Sequence, residues 1–319
     1  MKQISTWRAG GWLLAAWWAS ALGAHAQTTR RQVLGAADQV AAKLVFYQLE
    51  PPAAPARGLL VLLPGRGEAA RHVLRATTLA QEAARQGLVV LVPELNNEIC
   101  LTEASRQLLD KVINQAARQR PALLQHLVLG GFSAGGQLAL AYAEGLVRDS
   151  TQRHWQVRAV LGVDPPLDLA AHWRRAQYHV ARQDCPALRP GDQRILDELA
   201  QVLGGSPEQV PAAYRAASAF TDGAPAGGNA RWLRTIPARV YCEPDTAFWQ
   251  QQYCPALRAA DLNAASATAF IACLRQQGNA RADYLQTTGR GFDGRHRMPH
   301  SWSIVAVAEC VRWLLGCLG

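Results

Sequence analysis

Gly131-Phe132-Ser133-Ala134-Gly135-Gly136 lies between two stretches of different character. Before it, Gln125-His126-Leu127-Val128-Leu129-Gly130 is an apolar run of strand length. After it, residues 137–146 are the small and long-chain types that favour a helix. A Gly-x-Ser-x-Gly pattern between a strand and a helix predicts a sharp turn that lifts the serine hydroxyl clear of a sheet. So tight a turn leaves no room for bulk beside the serine, and Gly131 and Gly135 meet that need. The hydroxyl then stands over the positive end of the following helix.

Outward from this turn the chain alternates. Residues 41–49, 58–63, 88–93, 157–163, 238–242 and 282–287 read as strands. Helices are predicted over 68–86, 101–120, 264–277 and 302–315. Strands alternating with helices of this length predict an α/β fold with a mostly parallel sheet covered on both faces. The rhythm breaks after Asp164-Pro165-Pro166. From about 167 to 233 there are helical patches (170–182, 194–203, 207–216) and Gly/Pro-rich joints without an apolar strand, which reads as an inserted helical cap.

The first 26 residues are a separate segment. Lys2 and Arg8 precede the apolar centre 11–19, and Ala24-His25-Ala26 forms a small-residue cleavage site. That is a secretory signal peptide, so residues 27–319 are expected to form one exported domain, secreted or periplasmic, with no stable membrane insertion. Its loss removes two of the 33 basic residues and none of the 24 acidic ones, leaving a charge of +7. The arginines are scattered rather than striped, which argues against a nucleic-acid partner. Seven cysteines permit disulfides after export but leave at least one thiol over. Cys310 and Cys317 read as small buried hydrophobes.

A serine hydroxyl becomes a nucleophile only when a base takes its proton and a third group orients that base. The base belongs on the loop after the last strand, 288–300, where His300 is the first candidate and His296 the second. The remaining histidines, at 72, 126, 154, 172 and 179, read as structural. For the acid, Asp245 in Tyr241-Cys242-Glu243-Pro244-Asp245 is favoured. Asp164, at the preceding strand end, is the rival, and Glu243 ranks third. An oxyanion needs donors; the N–H groups of Ala134 and of Arg66, in Leu63-Pro64-Gly65-Arg66-Gly67, are placed to supply them.

With these residues in view, nearly the whole mature chain resembles the α/β-hydrolases of the esterase and lipase kind. The resemblance rests on Pro64-Gly65-Arg66-Gly67, Gly131 to Gly135, Glu243-Pro244-Asp245 and Pro299-His300-Ser301-Trp302. Pro-Gly stands where the His-Gly-Gly-Gly esterase group has His-Gly. The resemblance implies an eight-stranded, mostly parallel sheet with a lid. It further implies hydrolysis of a carboxylic ester through an acyl-enzyme, on a small-molecule or carbohydrate ester. A serine peptidase of the same fold and a non-catalytic binding protein are the alternatives. Phe248 and Trp249, directly after Asp245, are expected to line the substrate pocket. His172, Trp173, Tyr178 and Tyr214 of the cap are candidates for the pocket or for the cap's own core. Neither a phosphate loop nor a metal-ligand pattern is visible, so neither cofactor nor metal is expected.

Overall fold

Side-chain alternation in the central strands defines the layers. The computed structural model describes residues 28–34, 44–52, 55–95, 98–149 and 155–319; the predicted signal peptide and His154 lie outside them. In β3 (Gly58–Leu63) Leu59, Val61 and Leu63 enter one apolar cluster and Leu60 and Leu62 the other. In β4 (Leu88–Pro93) Val89 and Leu91 point one way and Leu88, Val90 and Val92 the other. Successive residues of a strand face opposite sides, so an unbroken apolar run requires cover on both. One cover includes α3 (Glu103–Ala117), α4 (Ala134–Arg148) and α9 (Asn263–Gln276). The other includes α1 (Ala70–Ala76), α2 (Leu79–Arg85) and α10 (Val307–Leu318).

The remaining strands of the main sheet are β1 (Thr28–Leu34), β2 (Leu44–Glu50), β5 (Leu127–Phe132), β6 (Val157–Val163), β7 (Ala238–Cys242) and β8 (Ala282–Gln286). The eight strands run β1-β2-β4-β3-β5-β6-β7-β8. Only β2 against its two neighbours is antiparallel; the other pairs are parallel.

Several elements differ from the sequence reading. The helix predicted over 68–86 is two, because Thr77 Oγ1 accepts the N–H of Leu79 at 3.2 Å and interrupts the helical ladder. The last helix begins at Val307 rather than 302, after a single 3₁₀ turn over Trp302–Ile304. A short helix, α8 (Thr246–Gln252), follows β7 where only an extended loop was expected. The edge strand β1 and the small hairpin of β9 (Phe292–Asp293) with β10 (His296–Arg297) carry no apolar periodicity and escaped notice.

Between β6 and β7 the chain forms α5 (Leu169–Ala181), α6 (Arg189–Leu203), α7 (Pro211–Ala217) and a 3₁₀ segment over Pro225–Leu233. These helices have a core of their own, with Leu169, Trp173, Leu196, Leu199 and Tyr214 at its centre. Trp173 and Tyr214 meet edge to face there, 6.0 Å between centroids. Cys185, between α5 and α6, is bonded to Cys254, just after α8. The bond ties this helical insertion to the loop beyond β7. Cys100, Cys242, Cys273, Cys310 and Cys317 are free thiols.

Candidate active site

The site begins with the backbone of Ser133, at φ 53° and ψ −125° between β5 and α4. A side chain at positive φ costs on the order of 1–3 kcal/mol and persists only where its surroundings enforce it. Here the enforcement is close packing of main chain. A Cβ on Gly131 would stand 2.4 Å from the carbonyl of Gly135, and one on Gly135 would stand 2.2 Å from the carbonyl oxygen of Pro64. Both glycines are therefore obligatory. Ala134, the first residue of α4, has an N–H with no acceptor inside the helix.

His300 arrives on the segment between β10 and the 3₁₀ turn at 302. Its ring lies 4.6 Å from that of Phe132, the residue before the serine. Its Nδ1 is 2.5 Å from Oδ2 of Asp164. Asp164 is thus the carboxylate that meets the imidazole, and the preference for Asp245 is corrected. Asp245 is occupied elsewhere: Oδ1 accepts the N–H of Phe248 at 3.0 Å as the cap of α8, and Oδ2 pairs with Arg297 at 2.8 Å. The unforeseen helix α8 is what claims it. His296, the lesser histidine, sits exposed on the β10 hairpin.

Asp164 is itself firmly held. Its N–H donates to the carbonyl of Tyr241 at 2.7 Å, and its carbonyl accepts Nδ2 of Asn263 at 2.9 Å. Burial, together with the neighbouring Asp164 carboxylate, pushes the Cys242 thiol well above its ordinary range. The thiol is therefore not a nucleophile here.

Two further carboxylates hold the loops. Glu243, 3% exposed, accepts from Thr287 Oγ1 at 2.9 Å, from the N–H groups of Arg290 and Gly291 at 2.9 and 3.2 Å, and from Arg297. It shapes the loop that delivers His300. Glu68 accepts the N–H of Gly65 at 2.8 Å and Nε1 of Trp302 at 3.1 Å, joining the Pro64–Gly67 loop to the residues after His300. Burial raises the Glu68 carboxyl above its usual range, opposed by these hydrogen bonds.

Ser133, Ala134, Arg66, Asp164 and His300 all border one cavity of about 280 Å³. Its far side comes from the insertion and from the loop beyond β7, including Trp249. Phe248 does not border it. That ring packs on Trp249 and Tyr253 instead, with centroids 5.6 and 6.0 Å away. Arg66 is anchored by its side chain to Glu198 of α6 at 2.6 Å and borders the same cavity as the serine. A second cleft of about 580 Å³ shares His300 and Trp249 and is lined by Phe132, Tyr253, Phe292 and Trp302. His179, read as structural, in fact borders the first cavity, and so does His172, which was also a candidate for the pocket. Among the described residues no cluster of His, Cys, Asp or Glu is arranged to hold a metal ion. No helix of the described residues is long and apolar enough to cross a membrane.

An imidazole backed by a carboxylate, on one cavity with a strained serine and a helix-start N–H, has the parts for proton abstraction and oxyanion stabilisation. Several solved structures are similar to the chain in fold. Brefeldin A esterase, described as a bacterial homologue of human hormone-sensitive lipase, is similar at TM-score 0.55 and 16% identity, over 92% of this chain and 77% of that one. An esterase from the bacterial hormone-sensitive lipase family is similar at TM-score 0.54 and 19% identity, over 92% and 85%. A lipase/esterase from Lactobacillus plantarum is similar at TM-score 0.54 and 17% identity, over 92% and 100%. No protein-family model and no curated protein sequence matches the chain. The fold is therefore established by structure: this is an α/β-hydrolase fold.

Proposed function

We propose that the protein is a serine hydrolase that cleaves carboxylic esters through an acyl-enzyme. The observation that carries this reading is the Asp164–His300 contact at 2.5 Å, on the same cavity as the strained Ser133. Ser133 Oγ attacks the ester carbonyl while Nε2 of His300 takes its proton. Asp164, on Nδ1, holds the ring in the required tautomer and stabilises the imidazolium. The N–H groups of Ala134 and Arg66 receive the oxyanion. The imidazolium then protonates the leaving alcohol, and water, deprotonated by the same ring, releases the acid. The acyl part occupies the cavity beneath the insertion, and the alcohol leaves through the cleft beyond His300. The insertion acts as a cap that limits substrate size.

The enzyme works after export, with residues 1–26 removed. The composition of that segment supports this, as does the Cys185–Cys254 disulfide, which persists in an oxidising compartment. Labelling with a fluorophosphonate, followed by turnover of p-nitrophenyl esters against aminoacyl anilides, tests the reading. Wild type should label at Ser133 and prefer the esters, and Ser133→Ala should do neither. An unlabelled wild-type protein would be a binder, and preference for anilides would make it a peptidase.

A further inference from the structure

His172, Arg175 and His179 recur at i, i+3 and i+7 of α5, so they form one stripe on that helix, and all three border the catalytic cavity. The stripe spans about 10 Å at 1.5 Å per residue. Burial, with Arg175, Arg66 and His300 adding to it, holds the His172 imidazole well below its ordinary range.

The carboxylates around this cavity each have a partner. Asp261 is paired with Arg258 at 2.6 Å, Asp192 with His179 at 2.9 Å, Glu198 with Arg66 at 2.6 Å, and Glu243 with Arg297. Among the described residues, Arg175 has no carboxylate within ion-pair distance. Its Nη1 donates to the backbone carbonyl of Asp261 at 2.8 Å and to Oδ1 of Asn263 at 2.9 Å, and its Nη2 donates to Nδ1 of His172. All three acceptors are neutral groups. They fix the plane of the guanidinium without neutralising it. A buried cation is costly unless an anion meets it. Burial indeed depresses the Arg175 guanidinium, against the pull of Asp192, Asp164 and Asp261 further off.

The far end of the stripe is also unfinished. His179 is 2% exposed, its Nδ1 is committed to Asp192, and its Nε2 is buried with no partner among the described residues. Buried polar atoms in native proteins nearly always have a partner. An orphaned ring nitrogen on a cavity wall next to an unmatched guanidinium marks a place shaped for a polar ligand.

We propose that the cap side of the cavity is a carboxylate-binding subsite, in which Arg175, oriented by His172 and Asn263, receives a carboxylate on the acyl part of the substrate. The planar fork of a guanidinium matches a carboxylate in two parallel hydrogen bonds, and His179 Nε2 meets a further polar atom beyond it. The inference rests on the ester-hydrolase reading and narrows it: the preferred substrates are half-esters of dicarboxylic acids rather than esters of plain fatty acids.

The test compares p-nitrophenyl hemiglutarate with p-nitrophenyl hexanoate, which is of similar length but lacks the charge. Wild type should favour hemiglutarate in kcat/KM. In Arg175→Met the ratio of the two should fall about 30- to 100-fold, and Arg175→Lys should restore part of it. A ratio unchanged by Arg175→Met, whatever happens to the individual rates, overturns the proposal. Calorimetric titration with free glutarate gives a readout independent of turnover. Wild type should bind it and Arg175→Met should not, and a wild type that ignores glutarate also overturns the subsite. Fluorophosphonate labelling of wild type stands apart from both measurements. Its failure removes the hydrolase reading, while glutarate binding still reports on the subsite.

Discussion

Ser133 and Asp164 hold equivalent places in the sheet. Each is the first residue beyond one of two paired strand ends, Phe132 and Val163, and each has a positive φ, 53° and 48°. The N–H of Ser133 donates to Val163 at 2.8 Å, and that of Asp164 donates to Tyr241 at 2.7 Å. The ladder therefore runs one residue past each strand and holds both side chains on the same edge. Two residues that propensity would place elsewhere are kept in adjacent strained turns by the sheet.

Relief of that strain should separate stability from activity. Ser133→Gly removes the proposed nucleophile and the disfavoured Cβ together. It should match or exceed wild type in stability by up to about 1–2 kcal/mol while losing ester turnover. Thermal melts of the two proteins check this. A clear loss of stability would show that the elbow is not strained.

The two aspartates make opposite predictions. Asp164→Asn keeps the shape but offers His300 the wrong partner, so kcat should fall by about 10³-fold or more. Asp245→Asn should instead weaken the cap of α8 and the pair with Arg297, costing about 1 kcal/mol of stability with kcat reduced less than tenfold. Steady-state kinetics of both variants decides it, and the reverse order would return the acid to Asp245.

Glu144, on the buried face of α4, has both carboxylate oxygens buried without a partner among the described residues. Burial raises its carboxyl well above the usual range, with Arg148 opposing weakly. The folded state thus holds a proton that the unfolded chain releases above its ordinary carboxyl range. Stability from this group is complete at acid pH and declines as pH rises toward the folded value. Glu144→Leu should flatten that decline and gain about 1–3 kcal/mol at pH 8. Urea melts at pH 5 and pH 8 give both slopes.

The Cys185–Cys254 bond closes a loop of 69 residues. In the chain-entropy account a loop of that size is worth on the order of 4 kcal/mol. The double Cys185→Ala, Cys254→Ala variant should melt lower. Because the bond joins the insertion to the segment carrying Trp249, KM for esters should rise more than kcat falls. An equal melting temperature would show that the apolar contacts of Leu257 and Trp249 around the bond hold the insertion unaided.

Much of this was legible in the sequence because it depends on local chemistry. The buried strands 58–63 and 88–93 announce themselves as apolar runs, and Ser133 by the glycines its turn demands. His300 follows from its place after the last strand. Local sequence does not separate Asp164 from Asp245, since each follows a strand end on the same edge. What separates them is α8, whose first turn takes the Asp245 carboxylate, and α8 itself is too short and too polar to signal its presence. Arg175 and His179 escaped for a related reason. Their spacing on α5 is that of any helix, and only the fold shows that this stripe borders the cavity that Ser133 also lines.

The 2.2 Å that a Cβ on Gly135 would leave to the Pro64 carbonyl has a consequence for how this protein can be altered. At Gly135 the turn bearing Ser133 and the Pro64 end of the loop bearing Arg66 meet as bare main chain, and the Phe132 ring against Gly65 is the side chain in their contact. The spacing of the proposed oxyanion donors is therefore insensitive to most substitutions in the surrounding wall. Arg175, His179 and Trp249 reach the cavity from separate, replaceable elements. A library confined to α5 and α8 should yield enzymes of changed appetite and undiminished chemistry, whereas the same number of changes in 64–67 or 131–136 should yield mostly inert protein.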